Sequence, residues 1–182
     1  KWLGSKYAVF VNSGSSANLL IAQGLLEGGF LRNKKIILPS VSWVTTVSPF
    51  LQLGYTPILC DINQSNLGID TKQFKEIIKK HNPSAICLCH VLGHANNMTE
   101  IMDICKKNNI IIIEDTCESI GSEYKKKKLG NFGIASSFSF YYGHHISTIE
   151  GGMVSTNNRK LYNILVSIRS HGWLRDNENN FK

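Results

Sequence analysis

Four short stretches carry residues whose types and spacing could do chemistry. The first is Asn12-Ser13-Gly14-Ser15-Ser16, leading into a predicted helix. Backbone N–H groups at a helix start, with hydroxyls beside them, form an anion site. The same residues also read as a serine-capped helix start with no ligand. The second is Trp43, just after Pro39 and near another predicted helix start. It would stack on a flat ring or fill the core. The third is Ile113-Glu114-Asp115-Thr116-Cys117-Glu118, at the end of an apolar run. Carboxylates at the mouth of a parallel sheet are costly to bury unpaired, so they point to a cation or a ligand. An aspartate facing a pyridinium nitrogen is one such arrangement, and an N-cap for a following helix is another reading. The fourth is the run from Ser139 to Gly152, which contains His144-His145 and Glu150-Gly151-Gly152. Adjacent histidines make a poor chelate, because neighbours on a strand point to opposite faces and helical metal pairs sit at i,i+4. His90 and His94 have that spacing, but Gly93 between them argues for a loop. No metal site is expected.

The elements that must position these residues alternate. Helices are predicted over 16–27, 44–53 (bent or shortened by Pro49), 71–80 with Asp70 as N-cap, 100–108 with Thr99 as N-cap, and 158–170. Strands are predicted over 35–38, 56–61, 85–89, 110–115, 136–140 and 153–156. Ile110 to Ile113 is continuously apolar, as in a strand covered on both faces. The alternation predicts an α/β fold, a mostly parallel sheet with helices on both faces. Ligands of such sheets bind at the carboxyl ends of strands, which is where the four stretches fall.

Composition narrows the classes further. With 42% hydrophobic residues in 182, the chain can bury a core and is not disordered. No apolar run approaches the length of roughly 20 residues that spans a bilayer, so no membrane association is expected. The net charge of +7 includes one run, Lys125 to Lys128, which reads as a solvated turn. Basic residues are not interleaved with aromatics over a face, so nucleic acid is not expected as a partner. Five cysteines, none in a CxxC, read as buried free thiols of a reducing cytoplasm, with Cys87 and Cys89 on one strand face. The chain opens at Lys1-Trp2-Leu3 without Met, and is expected to be part of a longer polypeptide.

Several separate motifs occur in one order: Ser13-Gly14-Ser15, Leu38-Pro39-Ser40-Val41-Ser42-Trp43, His90-Val91-Leu92-Gly93-His94, Glu114-Asp115, Ser137-Phe138-Ser139-Phe140, Glu150-Gly151-Gly152 and Arg169-Ser170-His171-Gly172. Together they resemble the large domain of the PLP-dependent sugar aminotransferases of the DegT/DnrJ/EryC1/StrS family, over nearly the whole chain. The resemblance implies an aspartate-aminotransferase-like fold (PLP fold type I). Residues 1–182 would be its PLP-binding large domain, without the family's N-terminal start and its small C-terminal domain. It also implies roles. Gly14 and Ser15, helped by Ser139, would hold the cofactor phosphate. Trp43 would stack on the ring, and Asp115 would pair with the ring nitrogen. Glu118 lies where the family usually has Gln near the ring hydroxyl.

One departure bears on the reaction. The family places a lysine six residues before the Glu-Gly-Gly glutamate, and that lysine forms the Schiff base with PLP. Here the position is His144. Imidazole cannot anchor the cofactor covalently but can move protons near neutral pH. This replacement, with His-His-Ile-Ser-Thr, resembles the family's sugar 3-dehydratase branch. One type in that branch also carries an iron–sulfur cluster, whose cysteines come about thirty residues after the histidine. The stretch from His171 to Asn180 has no cysteine, so no cluster is expected. The implied activity uses pyridoxal and pyridoxamine 5′-phosphate (PLP and PMP) with L-glutamate as amino donor. It removes the C3 hydroxyl of a nucleotide-linked 4-keto-6-deoxy sugar, GDP-4-keto-6-deoxy-D-mannose, in deoxysugar synthesis of the colitose and O-antigen kind. The implied assembly is a homodimer with shared active sites. His145 reads as an orienting or packed neighbour. The alternatives are a related dehydratase or 4-aminotransferase on another sugar, a non-catalytic PLP-binding protein, and a basic nucleic-acid binder.

Overall fold

Continuous apolar runs belong where both faces of a strand are covered, and the computed structural model, which describes residues 2–173, places them so. Seven strands form one sheet in the order β1-β9-β8-β5-β4-β2-β3. They are β1 (Tyr7–Val11), β2 (Lys35–Pro39), β3 (Thr56–Cys60), β4 (Ala85–Cys89), β5 (Ile111–Asp115), β8 (Ala135–Ser139) and β9 (Gly152–Thr156). Neighbours from β3 across to β8 are parallel, and β9 runs antiparallel to both β8 and β1. The expected α/β architecture is therefore present, with one antiparallel strand near an edge.

Period-two alternation splits each central strand between two cores. Ile36, Leu38, Ala85, Cys87 and Ile113 join Ala17, Leu20, Ile21, Phe50, Leu161 and Leu165 on one side. That side is covered by α1 (Gly14–Glu27), α2 (Ser48–Gln52) and α5 (Arg159–Arg169). Ile37, Ile86, Leu88 and Ile112 face the other side with Phe74, Ile77, Met98 and Ile101, from α3 (Thr71–His81) and α4 (Met98–Asn108). Cys87 and Cys89 share a face, as expected, and all five cysteines are free thiols, four of them buried while Cys117, expected buried, is half-buried.

Local chemistry sets the element ends. Asp70 caps α3 by accepting from the N–H groups of Lys72 and Gln73, both at 2.8 Å. Asn158 caps α5 from outside rather than opening it, accepting from the Leu161 N–H at 2.9 Å. Three expectations need correction. The single helix over 44–53 is a 3₁₀ turn, Val44–Thr46, followed by α2. Pro49 lacks an N–H and is accommodated in the first turn of α2, so the chain breaks at Val47. The N-cap of α4 is Asn97, not Thr99. The Thr99 hydroxyl is instead met by Tyr124 Oη at 3.0 Å and Lys125 Nζ at 2.9 Å. The lysine run is only half a turn. Lys127 and Lys128 form β7, paired with β6 (Glu123–Tyr124), and Lys125 and Lys126 make the two-residue turn with φ of +50° and +65°.

Parallel strands all point the same way, so the segments after β1, β2, β4, β5 and β8 emerge on one edge of the sheet. They carry Ser13, Trp43, His90, Asp115 and Ser139. No helix among the described residues is long and apolar enough to cross a membrane.

Candidate active site

At that edge lies a cavity of about 540 Å³. Its first wall is the start of α1. Ser13 is the N-cap, in extended conformation, and its Oγ accepts the Ser16 N–H at 3.1 Å while its carbonyl accepts from Ala17 at 3.0 Å. The N–H groups of Gly14 and Ser15 have no partner among the described residues, and both residues line the cavity. A Cβ at Gly14 would stand 2.7 Å from Ser139 Cβ and 3.0 Å from Cys117 Sγ. The end of β8 thus closes directly over the helix start, and only glycine leaves it room. Helix dipole, free N–H groups and the Ser139 hydroxyl converge on one concave spot suited to an anion.

The floor is Asp115, the last residue of β5, 4% exposed. Its Oδ2 accepts from Thr46 Oγ1 at 2.8 Å and from Asn18 Nδ2 at 3.0 Å, and its Oδ1 accepts from the Cys117 N–H at 3.2 Å. Asn18 also donates to the Thr45 carbonyl at 3.0 Å, which ties α1 to the 3₁₀ turn. The break at Val47 is therefore what brings Thr46 down onto the carboxylate. Asn18 and Thr46, which hold the Asp115 carboxylate, are positions that sequence reasoning missed. Asn18 left a signal, a polar residue in the buried stripe of α1 between Ala17 and Leu20, Ile21. Thr46 left none, because its role follows from the helix break.

Glu114 and Asp115 separate completely. Glu114 is fully buried, turned away from the cavity, and accepts from His90 Nε2 at 3.2 Å and from the N–H groups of Gly130, Phe132 and Gly133 at 2.8, 2.6 and 2.7 Å. Burial alone would raise its carboxyl, but the His90 hydrogen bond and those backbone donors hold it below the ordinary carboxylate value. His90 is equally buried, and its Nδ1 accepts the Asn96 N–H at 3.3 Å. Both ring nitrogens are thus used inside the protein, so the His90/His94 spacing builds no chelate.

Around the rim stand the remaining expected residues. Trp43 is 70% exposed and lines the cavity, which rules out the core reading. Glu118 is half-buried in the wall, its Oε2 accepting the Leu92 N–H at 2.8 Å. Leu92 holds a left-handed φ of +52° to present that N–H. His144 lines the opposite wall on the loop between β8 and β9. That loop is closed at its base by Phe140 N–H to Gly151 O and Thr148 N–H to Phe140 O, each 2.9 Å. The His144 N–H bonds Tyr141 O at 3.0 Å, and the Tyr141 ring meets the imidazole edge-on at 6.2 Å. His145 is exposed and does not line the cavity. All seven expected site residues therefore border one space. The stretch from Leu174 to Asn180, used in the iron–sulfur argument, lies outside the described residues.

Charge and reactivity are uneven. Asp115, Glu118, Glu150 and His144 line the cavity, and no Lys or Arg does so among the described residues. Burial, then the charge of Asp115, pushes the Cys89 and Cys117 thiols up, which leaves them protonated and poorly nucleophilic. A helix-start anion cradle, a buried carboxylate beneath an open aromatic, and an imidazole across from them define a site for a flat, phosphorylated, cationic ring at the edge of an aminotransferase-type sheet.

The chain belongs to the DegT/DnrJ/EryC1/StrS aminotransferase family, matching its profile over residues 1–182. It is 44% identical over 179 residues to GDP-4-keto-6-deoxy-D-mannose 3-dehydratase of Escherichia coli O55:H7, covering 97% of this chain and 46% of the relative. It superposes with a TM-score of 0.90 and 43% identity on the solved E. coli GDP-4-keto-6-deoxy-D-mannose-3-dehydratase with bound hydrated PLP, over 95% of this chain and 45% of that one. A histidine-to-asparagine variant of GDP-4-keto-6-deoxymannose-3-dehydratase with bound GDP-perosamine matches with a TM-score of 0.86 and 40% identity, over 96% of this chain and 46% of that one. The chain spans a little under half the length of these relatives.

Proposed function

We propose that residues 1–182 are the cofactor-binding large domain of a PLP/PMP-dependent sugar 3-dehydratase. It removes the C3 hydroxyl of GDP-4-keto-6-deoxy-D-mannose, with L-glutamate as amino donor. The observation that carries this is His144. It stands in the cavity wall at the position of the family's cofactor-linking lysine, and no lysine lines the cavity among the described residues.

The residues fit the group. Gly14, Ser15 and Ser139 would hold its phosphate, in a cradle that a Cβ at residue 14 would fill. Trp43 would cover one ring face. Asp115 would pair with the ring nitrogen, and Glu118 would lie near the ring hydroxyl. When bound, the pyridoxamine form supplies an amine for the C4 ketone and an electron sink that permits the C3–O bond to break. Asn18 and Thr46 aim the Asp115 carboxylate. His144 would take a proton from the cofactor's C4′ carbon and deliver it to the departing C3 hydroxyl, which would leave as water. The two reducing equivalents come from glutamate, which ends as 2-oxoglutarate and ammonia.

An acidic cavity must hold a phosphate and a nucleotide sugar, so cations have to come from beyond the described residues. A homodimer in which each subunit completes the other's site supplies them. Five protonated, unpaired thiols favour a reducing cytoplasm.

The test is the product formed by the full-length protein from PLP, L-glutamate and GDP-4-keto-6-deoxymannose. Net loss of one oxygen atom from the sugar, with ammonia and 2-oxoglutarate, is the expected result. An amine at C4 would identify an aminotransferase instead, and no change would refute this substrate.

A further inference from the structure

Two carboxylates end β5, and only one of them reaches the cavity. Glu114 is fully buried one residue before Asp115, on the opposite face of the strand. The charge it carries depends on His90, the titratable group that faces it. The Asn96 side chain orients the imidazole. Its Oδ1 accepts the Ile69 N–H at 2.8 Å, which turns its Nδ2 toward His90 Nδ1 at 3.2 Å and toward the Cys89 carbonyl at 2.8 Å. His90 Nδ1 therefore faces two donors, the Asn96 N–H and the Asn96 amide, and must present its lone pair. The ring proton sits on Nε2 and points at Glu114.

Every other group that meets Glu114 is a neutral backbone donor, from Gly130, Phe132 and Gly133. On the Asp115 side the titratable neighbours are Cys87, Cys89 and Cys117, all with raised thiols, with Glu118, Glu150 and His144 around the cavity. None of the thiols or carboxylates contributes positive charge. The sheet edge thus holds a buried negative charge beyond the one that touches the ligand. The same network also fixes the edge, since the His90 N–H bonds Asp115 O at 3.2 Å and the His90 carbonyl receives Gly93 in the turn that feeds Glu118.

We infer that Glu114 is a positioning residue whose permanent charge, acting through Asp115, keeps the nitrogen of a bound pyridine ring protonated. The inference rests on the cofactor reading above. A unit charge one residue away, at an effective dielectric of about 20, changes the binding of a cation on the order of ten-fold. The same effect moves the proton equilibrium of the ring nitrogen by about one pH unit.

The experiment uses the full-length protein loaded with PMP and follows the cofactor's ultraviolet absorbance across pH. In Glu114→Gln the midpoint of the ring-nitrogen titration is expected about one unit lower than in the wild type, with PMP bound on the order of ten-fold more weakly. Leu88→Ala is the structural control. Leu88 is the register partner of Glu114 across β4 and β5, and its truncation lowers the melting temperature without changing charge. Its midpoint is expected to stay at the wild-type value. An unchanged midpoint in folded Glu114→Gln would overturn the inference, as would an equal shift in Leu88→Ala. If Glu114→Gln does not fold, infrared spectra of wild-type protein with isotope-labelled glutamate decide. The inference requires no protonated buried glutamate band at neutral pH, and such a band would refute it. Failure of the wild-type protein to bind PLP or PMP at all would overturn the proposed function, and this inference with it.

Discussion

Replacing Gly14 with alanine adds one methyl group where the end of β8 closes over the start of α1. Nothing in the backbone forbids it, since Gly14 is not left-handed. Helix propensity alone would favour alanine by up to about 1 kcal/mol. The obstacle is space. The new Cβ would meet Ser139 Cβ at 2.7 Å and Cys117 Sγ at 3.0 Å, and both belong to segments leaving buried strands. Carbon atoms settle at roughly 3.5–4.0 Å, so the end of β8 must retreat by about 1 Å. Overpacking of this kind costs about 1–3 kcal/mol, a net loss after the propensity gain. The retreat also takes the Ser139 hydroxyl out of the anion cradle, worth roughly one charge-assisted hydrogen bond and so about ten-fold or more in PLP affinity. Gly24→Ala in the same helix gives the contrast. Its Cβ would also find an atom at 2.7 Å, but that atom is Leu165 Cδ2, the end of a side chain. Its stability should change by no more than about 1 kcal/mol, with PLP affinity intact. Urea unfolding and PLP titration of the two variants measure both effects. Wild-type PLP affinity in Gly14→Ala would refute the cradle, whatever its stability.

Other outcomes follow from the same geometry. His144→Asn should keep PLP affinity within a few-fold and slow oxygen loss from the sugar by about 10²–10⁴, read in single-turnover assays. Thr46→Val keeps the shape of the 3₁₀ turn but removes the 2.8 Å hydrogen bond to Asp115, and should weaken PLP binding by about 1.5–3 kcal/mol in fluorescence titration. Glu114 has a lowered carboxyl in the folded protein, so its contribution to stability is complete above the ordinary carboxyl value of 4.5 and disappears as pH falls through the lowered value. Urea midpoints measured from neutral pH downward should therefore drop in that acid range, and the drop should be shallower in Glu114→Gln.

What sequence could reveal here was mainly what local pattern encodes. The uninterrupted run ending at Ile113 announced a strand covered on both sides, and its two-core alternation is visible in the structure. Strand ends located the cavity, because parallel strands must deliver their carboxyl ends to one edge. β1 escaped notice because much of its surface is exposed and its partner lies far along the chain, Tyr7 opposite Thr156. The hairpin in the lysine run escaped because lysine is a poor strand signal and rarely takes a left-handed φ. Within the site, single residues with distinctive chemistry were legible, and their supports were not. Asn18 meets Asp115 across 97 positions and Thr46 across 69, and no local pattern records such pairs. Glu114 and Asp115 look equivalent in sequence. Only strand alternation and the placement of His90 send one inward to a histidine and leave the other facing the cavity.

The antiparallel strand has a consequence for how the protein is made. His144 sits between β8 and β9, and Gly152 to Thr156 must be in place between Ser139 and Tyr7 before that connection is held at both ends. A nascent chain emerging from its amino end can lay down the first strands and helices early. It cannot shape the cavity until position 156 is free to zip between two strands already waiting for it. Cofactor capture during synthesis thus waits for β9, and a chain stalled before that point has no histidine wall held at both ends.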